Sequence, residues 1–98
     1  MWNKQQIRSK LLTDDRWLIR GVLAIYNRQT DSEQYKMETV EDNGVGFNGF
    51  DARFMSSIAQ QILMGGILSI KQTAVVRRIM VKYSGQLMEI ANARNHYK

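Results

Sequence analysis

The chain has 98 residues, 44% of them hydrophobic, with 14 Lys and Arg against 9 Asp and Glu for a formal charge of +5, and it contains no Cys, no Pro and one His. That length supports one domain, residues 1–98, around a single core; the lack of Cys excludes disulfides and thiolate metal sites, and the lone His96 beside the C-terminus argues against a histidine-ligated centre. No apolar run reaches the roughly 20 residues of a membrane helix and the opening MWNKQQ is not a leader segment, so a cytoplasmic chain without membrane contact is expected.

Abundant Leu, Ile, Met, Gln and Arg without Pro favour a mainly α fold. In chain order, a first helix is predicted over residues 3–12 with Trp2, Ile7 and Leu11 on its buried side. Thr13 is the expected N-cap of a second helix, whose first turn holds Asp14 and Asp15 where carboxylates complement the helix dipole. Trp17, Leu18, Val22, Ile25 and Tyr26 keep a helical period there, with Arg16, Arg20 and Asn27 outside, and the helix is expected to end near Gln29. Thr30 and Glu33 have the spacing of a capping box, and Tyr35, Met37 and Thr39 then alternate with Lys36, Glu38 and Val40 as a short half-polar strand does.

Next comes GVGFNG, residues 44–49, which fits the letters of a dinucleotide-binding loop. Such a loop needs a buried apolar strand before it and a ribose-binding acid about 20 residues after it. Here three carboxylates, Glu38, Glu41 and Asp42, precede it, and the only later acids are Asp51 and Glu89, so no nucleotide cofactor is expected. Asp42, Asn43 and Gly44 instead mark a turn that is compatible with a short β-ribbon, and Phe47 and Phe50 are expected to plug the edge of the core.

Asp51 is the expected cap of a third helix carrying Phe54, Met55, Ile58, Ile62 and Leu63 and stopping at Gly65 and Gly66. Ser69 and Gln72 form a further capping box at the start of a long last helix, residues 70–92, with Val76, Ile79, Met80, Tyr83, Leu87 and Ile90 as its apolar stripe. Gly85, inside that helix, is read as a bend or a close helix contact, the latter preferred. The fold expectation is a small helical bundle of three to four helices with a Gly-rich loop in the middle.

No acid–base pair, activated nucleophile or metal cluster can be assembled: Asp14, Asp15, Glu41 and Asp42 stand where caps and turns favour carboxylates, and Ser56, Ser57 and Ser84 lack a basic partner. A non-enzymatic chain without cofactors is expected. Charge is informative when split by position, because residues 1–49 carry seven basic against seven acidic side chains and residues 50–98 carry seven against two. The whole excess belongs to the second half, an asymmetry that suggests a polyanionic partner and is equally compatible with a solubilising basic surface. Lys71, Arg78 and Lys82 are spaced by seven and four residues and share one face of the last helix, with Arg77 and Gln86 at its flanks and Arg53 near the start of the preceding helix. These are the candidate nucleic-acid contacts, the alternative being a solvated basic face. The six residues 64–69 are too many for a helix-turn-helix, whose turn is about 3–4 residues. The competing class is an adaptor or modulator acting on a host or phage protein through an apolar patch, with Met55, Met64 and Met88 as its candidate residues.

The stretches RWLIRGVLAIYNRQTDSEQ, NGVGFNGFDARFMSSIAQQI and LSIKQTAVVRRIMVKYSGQLMEIAN together resemble a small domain of phage and plasmid-borne proteins, from Arg16 to Asn92, with GVGFNGFDA and the LSxKQ and KYxxQL segments as the most specific pieces. The resemblance implies an accessory role in mobile-element DNA metabolism and a structural role for the glycine loop. It supplies no catalytic residue.

Overall fold

Four of the helix boundaries can be traced to a hydrogen bond that a specific side chain or glycine supplies. A computed structural model describes residues 1–36 and 46–96. Helix α1, Lys4–Thr13, opens on Asn3, whose side chain accepts from Gln6 N at 2.8 Å while Gln6 Oε1 accepts from Asn3 N at 3.0 Å. Asp14 separates it from helix α2, Asp15–Lys36, and caps that helix by accepting from Arg16 N and Trp17 N. The cap is therefore Asp14 rather than Thr13, which closes α1 and donates its hydroxyl to Ser9 O.

Helix α2 does not end near Gln29. It continues to Lys36, through the Thr30–Glu33 spacing, because an ongoing helix satisfies those N–H groups with its own carbonyls and the capping letters have nothing left to cap. The remainder of the expected ribbon, residues 37–45, lies outside the described residues, and no strand occurs among those described.

Helix α3, Ala52–Leu63, ends in a glycine C-cap: Gly65 has φ +85°, its N–H donates to Ile62 O, and Gly66 N donates to Gln61 O. This pattern satisfies two terminal carbonyls and requires a left-handed residue where Gly65 stands. Helix α4, Ile70–Met80, then starts on the expected box, with Gln72 N on Ser69 Oγ at 3.0 Å and Ser69 N on Gln72 Oε1 at 2.9 Å. The single long last helix is corrected to two: a 3-10 turn, Val81–Tyr83, joins α4 to helix α5, Ser84–His96. Gly85 lies after this break and is a close contact instead, since a Cβ there would stand 3.3 Å from Lys4 Cε of α1.

The molecule is thus a mainly α bundle. Its core joins Ile7 and Leu11 of α1, Leu18, Val22 and Ile25 of α2, Met55, Ile58 and Ala59 of α3, Val76 and Met80 of α4, and Leu87 of α5, with Phe47 and Tyr83 at one edge. The chain's two ends meet where Asn92 pairs with the backbone of Trp2, at 2.8 and 3.0 Å, and Trp2 packs on Trp17. No helix among the described residues is long and apolar enough to cross a membrane.

Three expectations about apolar residues fail in one region. Phe50 is 93% exposed, not a core plug; Leu63, on the expected stripe of α3, is exposed; and Met55, a candidate for an exposed patch, is fully buried. Phe54 is also partly exposed, whereas Met64 is exposed as expected and Met88 is half-buried against the core. Helix α3 buries only the face that meets α2, which Met55, Ile58 and Ala59 fill.

Candidate nucleic-acid interface

Residues 46–48 of the glycine loop are held by long polar side chains that come from distant parts of the sequence. Gln86 of α5 makes two bonds to Gly46, accepting from its N–H at 3.0 Å and donating to its C=O at 2.8 Å, as a neighbouring strand would. Gln29 of α2 accepts from Phe47 N and donates to Ser56 Oγ, and the Tyr83 hydroxyl accepts from Asn48 N. The N–H groups of Gly46, Phe47 and Asn48, which a phosphate-binding loop aims at its ligand, thus all donate to protein side chains. Among the described residues there is no group of three His, Cys, Asp or Glu side chains placed to hold a metal.

Asp51 stands at the N-cap of α3 but does not cap it through its side chain. The carboxylate is buried and accepts from the Tyr83 hydroxyl at 2.7 Å and from Lys82 Nζ at 2.8 Å. Burial by itself would raise its pKa; the bonds from Lys82 and Tyr83, the ammonium charge and Asn48 together outweigh that and hold it below the usual carboxylate value. A carboxyl with a depressed folded pKa adds stability that is complete above its unfolded pKa and is lost as pH falls through the folded one. Asp51→Asn should therefore cost on the order of 1–3 kcal/mol at pH 7, by loss of hydrogen bonds to a charged group. It should also lose less further stability than the parent as pH falls below about 4. Urea midpoints measured from pH 7 to pH 2.5 check this, and parallel curves for the two chains would refute it.

The five candidate cations divide into two sets. Lys71, Arg78 and Lys82 are exposed along the outer side of α4 and the 3-10 turn, as their spacing predicts, and Arg53 is exposed in the first turn of α3. Arg77 points inward: its guanidinium donates to Leu11 O at 2.6 Å and pairs with Asp15, tying α4 to the α1–α2 junction. Lys82 is shared, half exposed and bonded to Asp51.

Two links set α3 and α4 antiparallel: Asp51 reaches Lys82 and Tyr83 at one end, while Gln61 and Gln72 exchange amide hydrogen bonds at the other. Lys71 consequently lies at the end near the Gly65 turn, and Lys82 at the end where α3 begins. Of the two acids in residues 46–93, Asp51 is buried and pairs with Lys82, one of the candidate cations, and Glu89 lies 3.7 Å from Arg28. Sequence spacing anticipated the exposure of Lys71, Arg78 and Lys82, but it missed the Asp51–Lys82 pair and the inward turn of Arg77, because both depend on residues more than 30 positions away.

Fold and side chains together define a small helical bundle with exposed cations along α4 and the 3-10 turn. Comparison with protein-family models, with characterised proteins and with solved structures finds no match.

Proposed function

We propose that this chain is a small non-enzymatic accessory protein of a phage or plasmid, acting in the cytoplasm, that contacts nucleic acid through the cationic track of Lys71, Arg78 and Lys82 with Arg53 at its end. The observation that carries this reading is the exposure of Lys71, Arg78 and Lys82 along α4 and the 3-10 turn and of Arg53 at the start of α3, with Asp51, bound to Lys82, and Glu89, near Arg28, as the acids of residues 46–93. The resemblance to mobile-element domains points the same way. Contacts to phosphates position a chain without reading bases, so weak sequence preference is expected.

The variant that tests the track excludes Lys82, because a glutamate there would set a second carboxylate against buried Asp51. Arg53→Glu, Lys71→Glu and Arg78→Glu together leave the core untouched, and an acid at position 53 suits the first turn of α3. Each lost phosphate contact should lower the slope of log affinity against log salt by about 0.7–0.9, so the triple variant should lose about 2–3 in slope and most of its affinity at low salt. Equal binding by parent and triple variant, with thermal stability unchanged, would sink the proposal.

A second reading has its own support. Met64, Ile67 and Ile70, each about nine-tenths exposed, surround the α3–α4 turn together with exposed Leu63, as in an adaptor that docks on a host or phage protein. Pull-down from host lysate with and without nuclease separates the two readings, because a protein adaptor retains its partner after nuclease treatment.

A further inference from the structure

From the exposed ring of Phe50 at the end of the cationic track, we infer that the nucleic acid is engaged as a single strand, one of whose unpaired bases stacks on Phe50. The inference rests on the nucleic-acid reading and adds to it a strand preference and a residue. Phe50 is 93% exposed, yet the backbone beneath it is fixed. Asp51 N and Ala52 N both donate to Asn48 O, at 3.1 and 2.9 Å, so the chain is already winding as a helix when it passes Phe50. Phe50, Arg53 and Phe54 therefore fall at i, i+3 and i+4, on one face. The neighbouring Asp51 and Asn48 are tied to Lys82 and Tyr83.

Holding a fully exposed aromatic ring on a rigid turn serves a partner with a flat apolar surface. Charge complementarity selects among such partners. Arg53 is exposed beside the ring, Lys82 is half exposed one residue further on through its bond to Asp51, and Arg78 and Lys71 continue the track along α4. A strand of unpaired nucleotides offers both features at once, anionic phosphates for the cations and a π face for the ring, as in binding surfaces that alternate aromatic and basic side chains. A duplex offers the phosphates but keeps its bases stacked on one another. The ring should therefore discriminate strand from duplex, and the cations should serve both.

The experiment compares the full chain with Phe50→Ala, Phe50→Trp and the Arg53→Glu/Lys71→Glu/Arg78→Glu variant, using fluorescence anisotropy on a labelled 20-nucleotide single strand and on the matching duplex. Because Phe50 is outside the core, the single substitutions should keep the parent's melting temperature. Phe50→Ala should weaken single-strand binding by roughly 5- to 150-fold, the range of one lost stacking contact, and leave duplex binding and the salt slope unchanged. Phe50→Trp should bind the single strand at least as well as the parent, with its added indole quenched by the bound bases. If Phe50→Ala binds both ligands as the parent does while the triple charge reversal binds neither, the stacking inference fails and the cationic track stands. If the charge reversal also binds like the parent, or the parent binds neither ligand, both fall and the exposed ring belongs to a protein contact.

Discussion

Gly46→Ala should destabilise the chain by about 4 kcal/mol, a large part of the 5–15 kcal/mol that holds a domain of this size together. Two costs combine. Gly46 has φ +82°, where a residue with a Cβ is disfavoured by about 1–2 kcal/mol. The added Cβ would also stand 2.5 Å from Gln29 Cβ and 2.8 Å from Gln29 Cα, and the second of these is backbone inside α2 that cannot step aside. Relief has to come from moving the loop, which breaks the paired bonds to Gln86 and the bond from Phe47 N to Gln29, each contributing about 1 kcal/mol. Gly49 provides the control within the same six letters. A Cβ there meets nothing within 4 Å, so Gly49→Ala should change stability by no more than about 0.5–1 kcal/mol. Denaturant midpoints for the two variants decide the matter, and a loss under 1 kcal/mol for Gly46→Ala would show that the loop is not seated on α2.

That contrast explains how far the fold could be read from sequence. The features that were legible rest on bonds between near neighbours: Ser69 with Gln72, the Gly65 cap that ends α3, and the buried stripe of Leu18, Val22 and Ile25. The exposed row of Lys71, Arg78 and Lys82 was legible for the same reason, since helical spacing alone puts these residues on one side. What failed depends on remote partners. Nothing in the letters of residues 81–83 breaks a helix, and the apolar stripe continues from Met80 through Tyr83 to Leu87, yet the last helix divides there. The Thr30–Glu33 spacing is the same whether a helix begins or continues, so α2 overran its expected end. Asp51 has the composition of an N-cap, and only the arrival of Lys82 and Tyr83 turns its carboxylate inward. Within the candidate interface, the same remote contacts withdraw Arg77 and share Lys82.

Phe47→Ala should cost about 3–5 kcal/mol, whereas Phe50→Ala, three residues on, should alter stability by less than about 0.5 kcal/mol. Both residues follow a small or polar residue in the same glycine-rich stretch, and each is equally apolar, so local sequence does not rank them. The ranking comes from the clamp. Gln29 and Gln86 fix the backbone of Gly46 and Phe47 so that the Phe47 ring turns inward, where it is 6% exposed and meets Tyr83 edge-on at 5.3 Å and 88°. Removing that ring leaves a cavity beside Tyr83 and forfeits an aromatic pair worth about 0.5–1.5 kcal/mol beyond its buried area. It also opens to water the side of the core where Tyr83 donates to Asp51, so hydrogen exchange should quicken at Asn48 and Asp51 before it does along α1. Phe47→Leu keeps most of the volume and should recover more than half of the loss. Equal destabilisation by Phe47→Ala and Phe50→Ala would mean that the loop is not anchored through Phe47, and the fixed presentation of Phe50 at the end of the cationic track would lose its physical basis.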